Sequence, residues 1–348
     1  MTASSQSAAS ESWTVKRALD WTRTYLQSKG DGNPRLSAEW LISEACGMSR
    51  TDLYMSFDRQ LVKAELDVLH NYVARRAAGE PLQYITGEVA FRHVMVKTAP
   101  GVLIPRPETE VLVSEALSLL PAAPRPRAAD DGFIEALANG ADAVLEGSVE
   151  GDSYDNVRRA VQAARDEVAS RQGDQGLLVA DICTGSGCIA CSIAYEHPST
   201  HVVATDIAPE ALALAGRNAT SLGLMDRVDV IESDLGEGID PSLIGSFDLV
   251  VSNPPYVPTA VLDDIPDEVS KFEPRLALDG GADGLDLFRR LVGWCALALK
   301  PGGGCAFELH ETCLDAAKII AEQAGLVDVR IVFDLTDRPR VLTARKPA

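Results

Sequence analysis

The sequence predicts an α/β protein, in which a Rossmann-like sheet wound with helices follows a small domain made only of helices. From residue 176 onward, short β-branched runs alternate with amphipathic segments, which is the pattern of an open, mostly parallel sheet. In residues 13–79 apolar side chains recur at helical spacing instead. A glycine-rich loop follows the first strand of the alternating region, as in folds that bind a cofactor at the strand ends.

Bulk composition limits the partners. The chain has 348 residues and a formal net charge of -19, with no concentrated basic patch. Such a chain is not attracted to phosphate backbones, so we expect no direct nucleic-acid partner. No apolar run is long enough to cross a bilayer, and the polar first ten residues are unlike a signal peptide. We therefore expect a cytoplasmic monomer without a membrane partner.

The N-terminal part divides into a tail and a bundle. Residues 1–12 are polar and predict a disordered tail. Residues 13–80 predict a helical domain that ends in a long amphipathic helix, from Lys63 to Arg76. A separate bundle ahead of a catalytic domain often selects the partner, so we interpret it as a substrate-recognition domain.

Residues 81–120 predict a hairpin and a linker helix. Strand-like pieces cover Glu88 to Phe91 and His93 to Val96, and a helix is expected from Pro107 to Leu120. Arg106 lies between two prolines, which place it rigidly. We expect this segment to lie over the catalytic site.

Residues 121–176 differ in composition from their surroundings. A proline-rich start is followed by a stretch rich in Ala, Asp, Glu and Gly, with one helix-compatible piece from Tyr154 to Ser170. We interpret it as an acidic insertion or linker without chemistry of its own.

Residues 177–348 predict the catalytic domain, with strands that alternate with helices and an antiparallel pair at the end. The expected strands are 177–182, 201–205, 227–233, 247–251, 303–309, 327–333 and 340–344. The expected helices are 187–195, 209–222, 285–299 and 312–324.

The Asn253-Pro254-Pro255-Tyr256 segment follows the expected strand 247–251, whose β-branched apolar run predicts a buried strand of a parallel sheet. Prolines lack N–H groups, so the stiff backbone leaves carbonyls that can face a ligand. The Asn253 side-chain oxygen and the Pro254 carbonyl can each accept one N–H, while Tyr256 stacks on a flat group. This pattern suits a planar nitrogen that bears hydrogens, either an amide or an exocyclic base amine. We assign Asn253, Pro254 and Tyr256 as catalytic.

The loop from Asp181 to Gly187 and two later strand ends indicate a cofactor site. The loop fits a dinucleotide fingerprint weakly, but the region carries carboxylates and no basic residue, so a pyrophosphate would be poorly bound. S-adenosylmethionine, which has no phosphate and carries two positive groups, fits better. Asp181 is expected at its methionine end and Asp206 at its ribose, with Asp234 and Leu235 at its adenine. The full expected set is Asp181, Cys183, Thr184, Gly185, Ser186, Gly187, Asp206, Asp234, Leu235 and Asn253.

No metal site is predicted. Cys183, Cys188 and Cys191 straddle a strand end and the following helix, and their spacing is not that of paired Cys-x-x-Cys ligands. Small side chains pack well at such a position.

These motifs together resemble the peptide chain release factor glutamine methyltransferases, also called the HemK family. The tetrapeptide occurs in many amino-methyltransferases, whereas the segments before the glycine loop and after the tetrapeptide are more specific. The resemblance covers most of the chain and rests on the helical N-terminal domain and the segments 81–87, 103–110, 181–187, 251–256, 272–278 and 283–286.

The resemblance implies a class I methyltransferase. Such enzymes transfer a methyl group from S-adenosylmethionine to the side-chain amide of the glutamine in the Gly-Gly-Gln tip of release factors, and so modulate translation termination. Carried over, Asn253 and the Pro254 carbonyl hold that amide, Pro255 and Tyr256 line its slot, and Leu103 to Arg106 close it.

Two features depart from the family. Cys183 stands where the family usually has a glycine, and the insertion at residues 121–176 is longer than usual. We expect the cysteine to tighten the cofactor pocket and the insertion to alter the hinge or the docking of the release factor.

Three other functions stay open from the residues. The same slot would accept the exocyclic amine of a flipped base in RNA or DNA. A nicotinamide-dependent oxidoreductase is the second alternative. A scaffold that kept the fold without catalysis is the third.

Overall fold

The computed structural model describes residues 12–122, 176–334 and 336–348. The predicted tail, apart from its last residue, and nearly all of the predicted insertion, including its helix from Tyr154 to Ser170, lie outside the described residues. The chain separates into two compact units. The first contains residues up to Val89 with 97–104 and 261–275, and the second contains 90–96, 105–260 and 276–348.

The described helices and strands have the following bounds. The α-helices are α1 (Val15–Ser28), α2 (Pro34–Cys46), α3 (Arg50–Met55), α4 (Lys63–Ala77), α5 (Leu82–Thr86), α6 (Thr109–Leu119), α7 (Cys188–Glu196), α8 (Pro209–Ser221), α9 (Asp267–Phe272), α10 (Asp286–Ala298) and α11 (Leu314–Gln323). The strands are β1 (Glu88–Phe91), β2 (Val94–Lys97), β3 (Leu177–Ile182), β4 (Thr200–Asp206), β5 (Val228–Glu232), β6 (Phe247–Ser252), β7 (Leu299–Glu308), β8 (Val327–Phe333) and β9 (Pro339–Arg345). Within the described ranges, no helix is long and apolar enough to span a membrane.

The first unit is the predicted helical bundle. Its core is made of side chains from α1 to α5, among them Val15, Leu26, Leu41, Ile42 and Leu53. Local signals set the helix ends: Thr14 caps α1 by accepting the Arg17 N–H, and Ser49 forms a capping box with Asp52 at α3. The predicted long helix from Lys63 is confirmed as α4.

Two predictions between residues 81 and 97 were wrong. Only strand-like pieces and turns were expected after Pro81, but α5 forms there, because Pro81 stands at its N-cap and Gly87 closes it in the left-handed region at φ 80°. The second strand was expected from His93 and begins one residue later, because Arg92, at φ 51°, and His93 make the turn.

Two segments far apart in sequence meet within the first unit. The Ile104 N–H donates to Oε2 of the buried Glu273 at 3.2 Å. Arg76 at the end of α4 pairs with Asp31 at 2.6 Å and with Glu268 of α9 at 2.8 Å. The Arg76 and Asp31 side chains are only 10% and 3% exposed, so their pair is shielded from water. The pair with Glu268, which is 43% exposed, joins residues 261–275 to the bundle.

The second unit contains the predicted sheet. Among the described residues it has seven strands in the order β5-β4-β3-β6-β7-β9-β8. The first five are parallel, and β9 runs antiparallel to both β7 and β8, which confirms the predicted final antiparallel pair. All six residues of β6 are buried, as its apolar run indicated.

Two element starts differ from the sequence prediction. Strand β7 begins at Leu299, four residues before the expected Gly303, because Leu299 pairs with Phe247 across a register shift that spans a glycine-rich stretch. Helix α6 begins at Thr109, after a turn at Pro107 and Glu108.

A buried carboxylate ties the end of β3 to the start of α7. Asp181 is fully buried, and its Oδ2 accepts the Thr184 hydroxyl at 2.6 Å and the Ala190 N–H at 3.0 Å. Burial raises the pKa of Asp181 to about 7, although both hydrogen bonds oppose the rise. Ionised Asp181 is therefore costly in the folded protein.

This pKa predicts a pH dependence of stability. Because the folded pKa of about 7 lies above the ordinary value of 3.8, the folded protein holds more protons between these limits. Stability is lost as the pH rises through this window, and the loss is complete above about 7. We expect urea unfolding to show Asp181→Asn gaining about 2 kcal/mol on wild type between about pH 5.5 and pH 8. Parallel curves for the two proteins would contradict the raised pKa.

A second expectation concerns Cys183, which has φ 61° directly after β3. A side chain in this left-handed region is strained, whereas glycine is not. Cys183→Gly should therefore be more stable than Cys183→Ala by about 1 kcal/mol, measured by urea unfolding. The two variants both lose the thiol, so their difference isolates the backbone. Equal stability would mean that the loop relaxes to another conformation.

Candidate active site

Parallel pairing brings four chain segments to one edge of the sheet. Ile182 lies opposite Thr205 on one side and Ser252 on the other, and Ser252 lies opposite Phe307. The residues that follow these positions are therefore level at the carboxyl ends of the strands, where open α/β sheets bind ligands. They are Cys183, Asp206, Asn253 and Glu308.

Asn253 is oriented by a side chain from α6. Its Nδ2 donates to the hydroxyl of the buried Thr109 at 3.2 Å. Among the described residues, no donor reaches Asn253 Oδ1 or the Pro254 carbonyl. Two acceptors, one on the Asn253 side chain and one on the Pro254 backbone, therefore have no donor within the described part of the chain.

The Tyr256 hydroxyl is engaged within the protein. It donates to Glu308 Oε1 at 2.9 Å. Burial and the Glu308 carboxylate raise the pKa of Tyr256, so the phenol stays protonated. Only the ring is left to line a slot.

The backbone after Tyr256 is clamped by the segment before α10. The Val257 N–H donates to the Leu278 carbonyl at 2.8 Å, and the Gly280 N–H donates to the Val257 carbonyl at 2.9 Å. A Cβ on Gly280 would lie 2.7 Å from Tyr256 Cα, so only glycine allows this approach. The clamp fixes the course of the chain out of the tetrapeptide.

Hydrogen bonds to residues of β4 and α8 hold the backbone of the glycine loop. The Thr184 N–H donates to the Thr205 carbonyl at 2.8 Å, and the Gly185 N–H donates to Asp206 Oδ2 at 2.8 Å. From α8, Asn218 Nδ2 donates to the Ser186 carbonyl at 2.8 Å. The loop is thus preorganised by groups that the sequence alone did not single out, Asn218 above all.

Gly185 and Gly187 both have positive φ, at 57° and 78°. A Cβ on Gly187 would lie 3.0 Å from the Ala215 side chain of α8. The two glycines therefore let the loop turn tightly and α8 approach it closely.

The field at this edge is negative. Burial raises the pKa of the Cys183 thiol, and the carboxylates of Asp206, Asp181 and Asp234 raise it further. Acidic side chains, Asp206 foremost, thus act on this atom of the loop, which favours a cationic ligand and disfavours a pyrophosphate.

The Asp234 carboxylate is held by an ion pair through one of its two oxygens. Asp234 Oδ2 pairs with Arg290 of α10 at 2.8 Å on the exposed side of the site. The neighbouring Leu235 is buried at φ 53°, and its carbonyl accepts the Thr205 hydroxyl at 2.8 Å. The segment is therefore fixed by its backbone, while one Asp234 oxygen remains for another donor.

The hydrogen-bond acceptors around the glycine loop fit S-adenosylmethionine. Asp181 Oδ1 is buried with no hydrogen-bond partner in the described structure, so the loop holds an unsatisfied acceptor. Asp206 accepts the Gly185 and Ala208 N–H groups through different oxygens, which leaves lone pairs for a diol. In the described part of the chain, no three His, Cys, Asp or Glu side chains are placed to hold a metal ion.

The predicted substrate residues divide between the units. Arg106 belongs to the second unit and is close enough to Tyr256 to lower its pKa. Pro254 is buried and Pro255 half-buried beside Asn253. Leu103 belongs to the first unit, so its expected contact with the substrate stays a prediction.

Sequence reasoning missed Thr109 and Glu308. Thr109 lies in the segment 103–110, in which the prediction considered only Arg106 and its flanking prolines. Glu308 lies near the end of an apolar strand, where a buried carboxylate is unusual, and this unusual residue type was the available signal for Glu308.

Comparisons with known proteins identify the family of the chain. The PrmC N-terminal domain family matches residues 17–87, and the methyltransferase small domain family matches residues 153–265. The chain is 41% identical to the release factor glutamine methyltransferase of Geobacter sulfurreducens over 96% of its own length and 98% of the relative. Enzymes of the same name from Moorella thermoacetica, at 35% over 95% and 98%, and Rhodopirellula baltica, at 33% over 96% and 97%, are also similar. The chain therefore belongs to the release factor glutamine methyltransferase family.

Proposed function

We propose that this enzyme transfers a methyl group from S-adenosylmethionine to the side-chain amide nitrogen of the glutamine in the Gly-Gly-Gln motif of peptide chain release factors. This protein methylation modulates translation termination. The observation that carries the proposal is the pair of acceptors at Asn253 Oδ1 and the Pro254 carbonyl, beside an acidic glycine loop. A primary amide has two N–H donors that match this pair.

The acceptors supply nucleophilicity and position. An amide nitrogen is a poor nucleophile, because its lone pair is delocalised into the carbonyl. Hydrogen bonds from both N–H groups to Asn253 and Pro254 raise the electron density on nitrogen and hold it in place. Such positioning is worth roughly 7–11 kcal/mol, which is the largest effect required here.

The remaining direction at the nitrogen is left for the methyl group. S-adenosylmethionine, when bound, would supply this methyl group from its positively charged sulfur. The nitrogen–carbon bond would form as the carbon–sulfur bond breaks, and the sulfur would leave as the neutral thioether of S-adenosylhomocysteine. One proton leaves the nitrogen after transfer, when it is acidic, so Asn253 and Pro254 need not act as strong bases.

Residues around the glycine loop are proposed to hold the cofactor. Asp181 and the segment from Cys183 to Gly187 take its methionine end, Asp206 its ribose diol, and Asp234 with Leu235 its adenine. The negative field at Cys183 supports binding of a cation. Asn253 borders both the cofactor and the substrate.

The substrate side is proposed to include three further residues and a domain. Leu103, Arg106 and Pro255 line the glutamine slot with Tyr256. The helical domain at residues 13–80 selects the release factor, which fits the family match at residues 17–87. With a net charge of -19, the enzyme acts in the cytoplasm as a monomer on protein, without nucleic acid.

The first test is methylation by the purified enzyme. Release factors incubated with the protein and S-adenosylmethionine should gain one methyl group on the Gly-Gly-Gln glutamine, located by fragmentation in mass spectrometry. Asn253→Ala, which removes an amide acceptor, should lower turnover by about 100-fold or more. Its affinity for S-adenosylmethionine, measured by calorimetry, should change much less.

Two results would contradict this proposal. Labelling of RNA or another protein in place of the release factor would keep the cofactor and reject the substrate. Equal loss of turnover and cofactor affinity in a folded Asn253→Ala protein would reject the role of Asn253.

A second test separates the ribose carboxylate from acidity in general. Asp206→Ala should weaken S-adenosylmethionine binding on the order of 10- to 100-fold, because it removes charged acceptors from the loop. Asp229→Ala is the matched control, since Asp229 lies on the adjacent β5 and pairs with His201 at 2.8 Å on the surface. Calorimetry should show unchanged binding for the control. Similar losses in both variants would indicate a general field effect instead.

A further inference from the structure

Four polar side chains form a connected network behind the Asn-Pro-Pro-Tyr segment. We call Asn253, Thr109, Glu308 and Tyr256 the Thr109 network. The Asn253 Nδ2 donates to Thr109 Oγ1 at 3.2 Å, and the Tyr256 hydroxyl donates to Glu308 Oε1 at 2.9 Å. Thr109 lies 144 residues before Asn253 in the sequence, and Glu308 lies 52 residues after Tyr256, yet the fold brings each pair into contact.

Glu308 joins the two halves of the network. Burial raises the pKa of Glu308, and hydrogen bonding from the hydroxyls of Thr109 and Tyr256 opposes the rise. Thr109 and Glu308 are 2% and 1% exposed, so water does not replace these bonds. A hydrogen bond lowers the pKa of a carboxyl group when the partner donates to its oxygen, so both hydroxyls donate to Glu308.

This polarity determines the direction of every bond in the network. Because the Thr109 hydroxyl donates to Glu308, its hydrogen points to Glu308 and its lone pairs face Asn253. The Asn253 amide must then turn its NH₂ group, and not its oxygen, toward Thr109. Glu308 Oε2 already has no hydrogen-bond partner among the described residues. The reversed amide would take the Thr109 hydrogen as well and leave this buried carboxyl group with one donor fewer, which is costly.

We propose that Thr109 and Glu308 are positioning residues that orient the Asn253 amide so that its Oδ1 faces the substrate nitrogen. The inference rests on the proposed function for its substrate, but the orientation itself depends only on the network. The same carboxylate holds the Tyr256 hydroxyl. One buried group therefore aligns both the acceptor and the ring of the slot.

The kinetic test uses paired threonine variants. Thr109→Val keeps the side-chain shape and removes the hydroxyl, so kcat should fall on the order of 10- to 100-fold while S-adenosylmethionine affinity is unchanged. Thr109→Ser restores the hydroxyl and should recover most of kcat. Thr200→Val is the control, because Thr200 is equally buried but its hydroxyl bonds to the His197 carbonyl at 2.8 Å, at the amino end of β4.

A double variant shows whether Thr109 acts through Asn253. In an Asn253→Ala background, Thr109→Val should cause no further loss of kcat, because no amide remains to orient. Glu308→Gln should lower kcat as Thr109→Val does, since an amide at this position can also donate to Thr109. Full kcat in Thr109→Val, or additive losses in the double variant, would overturn the proposal.

A second measurement does not depend on activity. With asparagine selectively labelled with ¹⁵N, the side-chain amide of Asn253 is identified in NMR spectra by its absence in Asn253→Ala. Its hydrogens should exchange slowly in wild type and Thr200→Val and at least about 10-fold faster in Thr109→Val. Unchanged exchange in Thr109→Val would overturn the inference. Slow exchange in a protein that does not methylate release factors would reject only the proposed function.

Discussion

Parallel pairing of β3 with β4 and β6 is the constraint on which the whole site depends. A parallel register leaves successive strands with their carboxyl ends level, so loops that are distant in sequence meet at one edge. The Ser252 hydroxyl reinforces this arrangement by donating to the Ile182 carbonyl at 2.5 Å. A register shift of one residue at β6 would turn Asn253 to the other face of the sheet.

Hydrogen bonds behind the edge then determine what each loop can do. In the glycine loop, Asp206 and Asn218 hold backbone atoms, so the loop does not need to order itself when the cofactor arrives. In the tetrapeptide, Thr109 and Glu308 hold the side chains of Asn253 and Tyr256. The two loops are therefore preorganised in different ways. The glycine loop is fixed through its backbone, which a ligand can approach, and the tetrapeptide is fixed through its side chains.

Much of this could be predicted from sequence. Periodicity located nearly every strand and helix of the sheet, because long apolar patterns report burial directly. The positions of Asn253 and Asp206 at one edge of the sheet could be predicted, because polar residues at the ends of parallel strands meet there. The engagement of the Tyr256 hydroxyl and the role of Thr109 could not be predicted, because they depend on which side chains meet across about 50 and 140 residues, a distance that no local pattern encodes. The short helix α5 was missed for the opposite reason, since its Pro81 and Gly87 signals are local but enclose only five residues.

The return of residues 261–275 to the first unit bears on how separable that unit is. A chain cut after residue 80 would keep helices α1 to α4 of the bundle. It would lack Glu268, which pairs with Arg76, and it would also lack Glu273 and the Ile104 N–H that donates to it. The buried guanidinium would then face the solvent with half of its charge partners gone. The bundle is therefore not an appended module that evolution or an experimenter can exchange whole. Its complete form is discontinuous in sequence and is assembled only when the chain that follows the Asn-Pro-Pro-Tyr segment has also been made.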